Sequence, residues 1–248
     1  MKTQMNSFKY WLQSLAMKRG YIIQRLGGMP AGNEINILKL LVDRLPVDGA
    51  DFTIVQIGAN DGKSRDPVYP FIMERGWSGV LVEPIPSMFE KLSNTYHNMP
   101  NIKLENCAIA NADGTIKMYI VNQDDSLPEH VKELASLDRN VILRQKPTIP
   151  TIDRFIDTVD VPAKTISSLL TTYDIQHLNL LQVDTEGFDY EIIKMTFQAS
   201  LQPDIINFES IHLSPEKKLE CGHLLASKGY RYVTIERDTI AVKESLIS

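Results

Sequence analysis

Phe52-Thr-Ile-Val-Gln-Ile-Gly-Ala-Asn-Asp-Gly-Lys-Ser64 is the stretch of sequence that decides the fold. Residues 52–57 are a short, mostly apolar run rich in β-branched side chains, which predicts a buried strand of a parallel sheet. Gly58 and Gly62 end this run, so the chain must then turn sharply before it begins a helix. In α/β folds, such a turn brings backbone N–H groups against a nucleotide-like ligand.

The spacing of the glycines indicates which ligand the turn suits. A dinucleotide-binding G-x-G-x-x-G motif would need glycines at 60 and 63, where Asn60 and Lys63 stand. The turn is therefore a poor cradle for a pyrophosphate and suits a cofactor without phosphate, such as S-adenosylmethionine. Cofactor contacts are predicted for the loop residues Gly58, Ala59, Asn60, Asp61, Gly62 and Ser64. The alternatives are a turn needed only for topology and ordinary helix capping by the polar residues.

A second strand predicts where the nucleoside part of the cofactor lies. Gly79-Val-Leu-Val-Glu-Pro84 is another apolar run that ends in an acid. In a doubly wound sheet, the Glu83 carboxylate would lie beside the first turn and accept both ribose hydroxyls, with Pro84 next to it. Adenine is expected near Cys107 and Ala108, whose small side chains leave room for a ring. The alternatives are a solvated acid at Glu83 and a small buried hydrophobic side chain at Cys107.

Composition and charge restrict the class of protein. The 248 residues are 43% hydrophobic and 23% charged, as in an ordinary globular protein. A formal net charge of -5 argues against a dedicated nucleic-acid binder. The two cysteines form no C-x-x-C motif and are too few for a disulfide framework. No apolar run approaches the ~18 residues of a membrane span. Lys9, Lys18 and Arg19 interrupt the apolar core that a signal peptide would need. We therefore expect a cytoplasmic protein with no signal peptide or transmembrane segment.

Two regions are distinguished along the chain. Residues 1–45 are predicted to be a basic helical arm that covers a site or forms a homodimer, with binding to an anionic membrane surface as the alternative. Residues 46–248 are predicted to be the main domain. Within it, residues 102–110 are expected to form a third strand with 115–121 as its hairpin partner. The polar stretch 122–150 is expected to be an irregular, lid-like insertion.

The order of elements predicts the fold class. After Pro46, strands alternate with helices, and the chain closes with a hairpin around Arg237-Asp238. This pattern predicts a doubly wound, mostly parallel α/β sheet with one antiparallel strand at or near its edge. Ligands bind outside the carboxyl ends of such strands. The residues expected to share that edge are therefore Gly58 to Gly62, Glu83, Asn106-Cys107, Asp184 to Gly187 and Glu209 to His212.

Five blocks in the same order resemble the FkbM family of S-adenosylmethionine-dependent methyltransferases. The blocks are Ile57-Gly-Ala-Asn-Asp-Gly62, Val82-Glu-Pro84, Asn106-Cys-Ala-Ile109, Leu181-Gln-Val-Asp-Thr-Glu-Gly-Phe-Asp189 and Asn207-Phe-Glu-Ser-Ile-His212. The resemblance covers roughly residues 50 to 243 and departs from the family pattern at Gln56, where an acid is common, and at Gln182, where lysine is common. It implies a class I, Rossmann-like methyltransferase that methylates a hydroxyl, often on a sugar, a glycan or a natural product.

Asp184, Glu209 and His212 are the candidates for the chemistry. If the strands before Asp184 and Glu209 are neighbours, the two acids end side by side. With His212 they could bind Mg²⁺ or Mn²⁺, which would hold the acceptor hydroxyl and lower its pKa. Alternatively, His212 is the base, or Asp184 contacts the cofactor or caps the next helix while Glu209 and His212 have structural roles. Two other classes remain open: an NAD-dependent oxidoreductase and a non-catalytic binding protein on a methyltransferase fold. The partner expected for an enzyme is a small-molecule or glycan acceptor.

Overall fold

The structure is a computed structural model that describes residues 36–247. The strands are β1 Thr53–Ile57, β2 Ser78–Val82, β3 Ile102–Glu105, β4 Ala108–Ile109, β5 Gly114–Val121, β6 Ala135–Ser136, β7 Ile156–Lys164, β8 Leu180–Val183, β9 Ile205–Glu209, β10 Tyr230–Ile235 and β11 Asp238–Lys243. The helices are α1 Ile37–Val42, α2 Tyr69–Arg75, α3 Pro86–Tyr96, α4 Glu129–Lys132, α5 Arg139–Leu143, α6 Ile166–Thr172, α7 Asp189–Gln198 and α8 Pro215–Ser227, and short 3₁₀ turns lie at Gly49–Asp51, Ile152–Phe155 and Glu244–Leu246. Most of the predicted N-terminal arm lies outside the described residues.

The main sheet has seven strands in the order β10-β11-β9-β8-β1-β2-β3. β1 lies between β2 and β8 and is parallel to both, and β8 is parallel to β9. β11 is antiparallel to both of its neighbours, β9 and β10. The predicted doubly wound, mostly parallel sheet with one antiparallel strand near its edge is therefore confirmed, and both sheets belong to the compact unit Leu38–Ser248.

The central strands are apolar because both of their faces are covered. Val55, Ile57, Leu181 and Val183 belong to the largest buried cluster, which also contains side chains of α6, α7 and α8. A strand buried on both faces loses the alternation of polar and apolar residues, so it reads as a continuous apolar run. The buried core thus follows from the same runs that predicted the strands.

A second sheet of four strands, in the order β4-β7-β5-β6, corrects the prediction for residues 102–121. The predicted third strand is interrupted at 106–107, so that β3 joins the main sheet and β4 the second one. β5 does form, but its main partner is the antiparallel β7, and β6 pairs with its far end. β7 was not predicted because Asp157-Thr158 and Pro162 are typical of a loop, although Val159, Val161 and Ala163 alternate with more polar or exposed residues.

The insertion 122–150 contains more structure than its polar sequence predicts. It holds α4, β6 and α5. Buried apolar side chains in and beside the insertion form a small cluster of their own: Val121, Leu127, Val131, Ile142 and Ile152. The insertion is therefore not irregular throughout, and its role as a mobile lid stays a prediction. Within residues 36–247, no helix is both long and apolar enough to cross a membrane.

Candidate active site

The turn after β1 is shaped by the neighbouring strands. Gly58 has φ +83°, and a Cβ atom there would lie 1.8 Å from the backbone oxygen of Asp184. The N–H groups of Gly58 and Ala59 both donate to the carbonyl oxygen of Val82, at 3.0 Å each. The glycine is therefore required by the close approach of the chain after β8.

Glu83 joins the first turn to the end of β2. Its Oε2 accepts a hydrogen bond from the backbone N–H of Asn60, and its Oε1 accepts one from the N–H of Ile85, both at 2.8 Å. The residue is only 5% exposed, and burial raises the pKa of its carboxyl to about 7, although the two hydrogen bonds oppose that rise. Glu83 is thus a buried acid held in a fixed position, and the solvated alternative is wrong.

The polar loop residues have local partners. The Asp61 carboxylate accepts hydrogen bonds from the N–H groups of Lys63 and Ser64 and from the Ser64 hydroxyl. A Cβ at Gly62 would lie 2.4 Å from a Leu92 methyl group, and the Tyr96 hydroxyl donates to the Gly62 carbonyl oxygen. Asp61 therefore closes a local turn and caps no helix, because α2 begins only at Tyr69, and Gly62 has a packing role. The predicted contacts of these two residues with a cofactor remain untested.

A cavity at the carboxyl ends of β1, β2 and β8 brings most predicted cofactor residues together. Its lining includes these residues from the sequence prediction: Gly58, Asn60, Glu83, Pro84, Cys107, Ala108 and Asp184. Apolar side chains, among them Ile109 and Met118, complete the wall. We call this space the apolar cavity. Cys107 is fully buried as well as lining it, so its two predicted interpretations are compatible, as the small size of its side chain allows.

A second, more polar cavity adjoins the first. Five residues line both cavities: Gly58, Asn60, Glu133, Asp184 and Glu186. Further residues line only this polar cavity, among them Gln56, Ala59, Ser64, His130, Gln145, Gln182, Glu209 and Arg237. The two spaces therefore meet at the first turn and at the end of β8.

Three buried amides form a row across the main sheet, and two of them, Gln56 and Gln182, line the polar cavity. Gln56, Gln182 and Asn207 are opposite one another in the register of β1, β8 and β9. Asn207 donates to Gln182 at 2.7 Å, and Gln56 donates to Asp66 at 2.9 Å. The buried oxygens Oε1 of Gln56 and Oδ1 of Asn207 have no hydrogen-bond partner among the described residues. Both departures from the family pattern therefore belong to one polar row that keeps free acceptors.

Beside this row, the structure groups Glu186 with Glu209 and His212. Nε2 of His212 lies 2.8 Å from Oε2 of Glu186 and 3.3 Å from Oε2 of Glu209. The three atoms lie within 4.8 Å of one another, and we call the three residues the acid–histidine cluster. Asp184 follows β8 next to Glu209, as predicted, but it is not part of this cluster. Glu186 takes its place because the chain turns back after β8 through left-handed backbone at Glu186 and Gly187.

The turn that carries Glu186 is anchored from two sides. The Ser136 hydroxyl in β6 donates to the carbonyl oxygen of Glu186 at 2.8 Å. The buried Asp189 carboxylate accepts from the Thr185 hydroxyl and from the N–H of Gly187, at 3.1 Å each. The position of Glu186 is therefore fixed by the insertion as well as by α7.

Several acids surround the point where the cavities meet. Burial raises the pKa of Asp184 well above its usual range, and the nearby carboxylates of Glu209 and Glu186 raise it further. Burial and then Glu186 raise the pKa of Glu209, while the Arg237 guanidinium opposes that rise. The pKa of His212 is raised, mainly by the Glu186 carboxylate. The site thus concentrates negative charge that needs a proton or another cation.

Two arginines partly neutralise this charge. Arg237 donates from Nε and Nη2 to Oε1 of Glu209, at 2.9 and 2.6 Å. Nη1 of Arg144 lies 3.1 Å from Nδ1 of His212 and donates to the His212 carbonyl oxygen at 3.2 Å. Sequence reasoning missed Arg237 and Arg144 as site residues, and it placed residues 184–187 on this edge without grouping Glu186 with Glu209 and His212. Arg237 lies in the predicted terminal hairpin, whose tip comes back to the end of β9, so the topology offered a signal for it.

Comparisons with known proteins identify the family. No curated protein matches the sequence. The crystal structure of a methyltransferase FkbM from Methylobacillus flagellatus KT is similar with a TM-score of 0.50 and 12% identity, over 80% of this chain and 45% of that chain. Aeropyrum pernix fibrillarin in complex with S-adenosyl-L-methionine gives a TM-score of 0.42 and 12% identity, over 83% of this chain and 72% of that chain. Since a family model for the methyltransferase FkbM domain matches residues 56–232, the chain belongs to the FkbM methyltransferase-domain family.

Proposed function

We propose that this protein is an S-adenosylmethionine-dependent O-methyltransferase that acts on a hydroxyl of a sugar, a glycan or another small natural product. The observation that carries the proposal is the junction of the two cavities at Gly58, Asp184 and Glu186. One cavity has the features of a nucleoside site, and the other is polar and lined by acids. An NAD-dependent oxidoreductase, the enzymatic alternative, has no support from the family match.

The apolar cavity fits the cofactor by its chemistry. The Glu83 carboxylate is fixed by two backbone hydrogen bonds and still has lone pairs that can accept ribose hydroxyls. Cys107 and Ala108 are small side chains beside it, and Ile109 and Met118 supply apolar surface for adenine. Asn60, which lines both cavities, would face the methionine end of the cofactor. This assignment leaves the polar cavity to the acceptor.

When bound, S-adenosylmethionine supplies a methyl group on a positively charged sulfur, and its transfer makes a carbon–oxygen bond, breaks a carbon–sulfur bond and releases the hydroxyl proton. The chain has to align the acceptor oxygen and take up that proton. Asp184 and Glu186 line both cavities and offer carboxylates at their junction. Glu209 and His212 lie directly behind them, so that a proton received there stays within a group of coupled acids and bases.

The lining of the polar cavity favours an acceptor rich in hydroxyl groups. Gln56 and Gln182 contribute side-chain amides from β1 and β8 to this lining. The free oxygen of Gln56 can accept a hydrogen bond from a hydroxyl group. Arg237, Gln145 and His130 add donors around the opening. Buried polar groups of this kind reject apolar ligands, because such a ligand would leave them unpaired.

The test is methyl transfer from isotopically labelled S-adenosylmethionine to compounds in cell extracts. We expect hydroxyl-bearing products that gain one labelled methyl group, and calorimetric binding of S-adenosylhomocysteine but not of NAD. The Gln182→Leu variant should raise the KM for the acceptor and leave the affinity for S-adenosylhomocysteine unchanged, with Glu220→Gln on the exposed surface of α8 as the control. Binding of S-adenosylhomocysteine without any labelled product would favour a non-catalytic binding protein. Labelled products methylated only on nitrogen or carbon would overturn the O-methyl assignment.

A further inference from the structure

The acid–histidine cluster has a geometry that hydrogen bonding does not explain. Oε2 of Glu186, Oε2 of Glu209 and Nε2 of His212 are all buried, and within residues 36–247 none of them makes a hydrogen bond of good geometry. Nevertheless, Nε2 lies 2.8 and 3.3 Å from the two oxygens. The three atoms face one another closely, while the ring nitrogen is not aligned to donate to either oxygen.

Burial makes this arrangement costly without a further partner. The Glu209 side chain is only 6% exposed and the His212 side chain 13% exposed. A buried polar atom that lacks a partner costs about 1–3 kcal/mol, and more when it is charged. Arg237 does not remove the cost, because both of its hydrogen bonds go to Oε1 of Glu209 and leave Oε2 free.

The distances match those between neighbouring ligands of a small divalent cation. With bonds of about 2.1 Å, adjacent ligands of an octahedral ion lie about 3.0 Å apart. The ligand atoms then point at the ion rather than at one another, which explains close approach without hydrogen bonding. Two carboxylate oxygens and one imidazole nitrogen are a ligand set for a first-row transition metal such as Mn²⁺, since imidazole is a poor ligand for Mg²⁺.

We propose that Glu186, Glu209 and His212 bind one divalent cation of the Mn²⁺ type on the wall of the polar cavity. Three protein ligands leave three octahedral positions open, and Glu186 and Glu209 both line the polar cavity. Two neighbouring hydroxyls of an acceptor would fit two of those positions. The acceptor class is then a vicinal diol, of which one oxygen is methylated. This last step rests on the proposed function, whereas the cation site itself does not.

Arg144 makes the proposal more specific. An imidazole that binds a cation through Nε2 carries its proton on Nδ1, and Nη1 of Arg144 lies 3.1 Å from Nδ1. The guanidinium can retain its hydrogen bond to the His212 carbonyl oxygen when the cation binds. Its hydrogen bond to Nδ1 must break, because a protonated Nδ1 cannot accept one. Arg144 therefore opposes the cation through both its charge and its hydrogen bond.

The experiment is a titration of the purified, metal-free chain with Mn²⁺, without cofactor or acceptor, in which electron paramagnetic resonance measures the free ion. We expect one Mn²⁺ per chain in the wild type and at least tenfold weaker binding in Glu209→Gln and His212→Ala. The matched controls Glu220→Gln and His223→Ala change exposed residues of α8 and should bind as the wild type does. Circular dichroism identifies any variant that has lost its fold.

Each outcome has a defined meaning. The cation site would be overturned if the wild type did not bind Mn²⁺. It would also be overturned if a folded Glu209→Gln variant bound Mn²⁺ as tightly as the wild type does. Arg144→Gln should bind Mn²⁺ more tightly, and weaker binding would contradict Nε2 of His212 as the ligand. Methyl transfer that is fully retained in chelator would leave the cation site intact but remove its part in catalysis. Saturable Mn²⁺ binding by a chain without methyltransferase activity would overturn the proposed function alone.

Discussion

Replacing Glu83 by glutamine should change how the stability of the protein depends on pH. The carboxyl has a pKa of about 7 in the folded chain, because it is buried, and close to 4.5 in the unfolded chain. Between these values the folded state keeps a proton that the unfolded state has lost, so the free energy of unfolding falls as the pH rises. A shift of this size is worth about 3 kcal/mol. Glutamine does not titrate, so Glu83→Gln should lose that part of the pH dependence.

The assay is urea unfolding at a series of pH values between about 4.5 and 8, a range set by those two pKa values. Glutamine can accept only one of the two backbone hydrogen bonds, so the variant should be less stable near pH 5. The difference in the free energy of unfolding between wild type and variant should become smaller as the pH rises, because only the wild type has to ionise a buried acid. Glu74→Gln on the exposed side of α2 is the control and should parallel the wild type. A constant difference between wild type and Glu83→Gln at every pH would refute the reasoning.

Three further predictions follow from the site and its surroundings. Glu83→Ala should weaken binding of S-adenosylhomocysteine by ~2 kcal/mol or more in calorimetry, because two hydrogen bonds to a charged acceptor are lost; unchanged affinity would mean that the ribose binds elsewhere. Gly58→Ala should destabilise the fold by more than ~3 kcal/mol in thermal unfolding, since its Cβ would meet the backbone of Asp184, and a wild-type midpoint would contradict this. Backbone hydrogen exchange in residues 122–150 should be fast in the free protein and slow once cofactor and acceptor bind, whereas exchange that is already slow in the free protein would rule out a lid.

The main sheet was predictable because burial on both faces leaves a strong signal in the sequence. β1, β2, β8 and β9 are mostly apolar runs, interrupted in β1, β8 and β9 by one amide each, and each ends at a glycine, an acid or a turn. The second sheet gave no such signal. β7 exposes Thr158, Asp160 and Pro162 on one face and Asp157 on the other, so its first half resembles a polar loop. Its pairing with β5 depends on contacts that span the whole insertion, which no local pattern can report.

The candidate site was predictable to the extent that the sheet determines it. The residues that follow the carboxyl ends of parallel strands lie along one edge of the sheet. This rule was enough to predict that Gly58, Glu83, Asp184 and Glu209 lie around the same pair of cavities. The rule also placed Glu186 on this edge, but it could not predict that this side chain joins Glu209 and His212. The position of that side chain depends on left-handed backbone and on a hydrogen bond from Ser136, which is distant in sequence.

Different contacts fix the two ends of the site. Glu83 is fixed by backbone N–H groups of the first turn and of the chain after β2, so its position depends on the main sheet, although the insertion also contributes Glu133, Ala135 and Leu137 to the lining of the apolar cavity. Glu186 is fixed through Ser136, which belongs to the insertion, and His212 contacts Arg144 just beyond α5 of the same insertion. Since the insertion has its own small apolar cluster, we expect it to loosen locally before the main sheet opens. Loosening it would release Glu186 and His212 from their contacts with Ser136 and Arg144 while Glu83 stays fixed, so we expect the insertion to control when the acid–histidine cluster is complete.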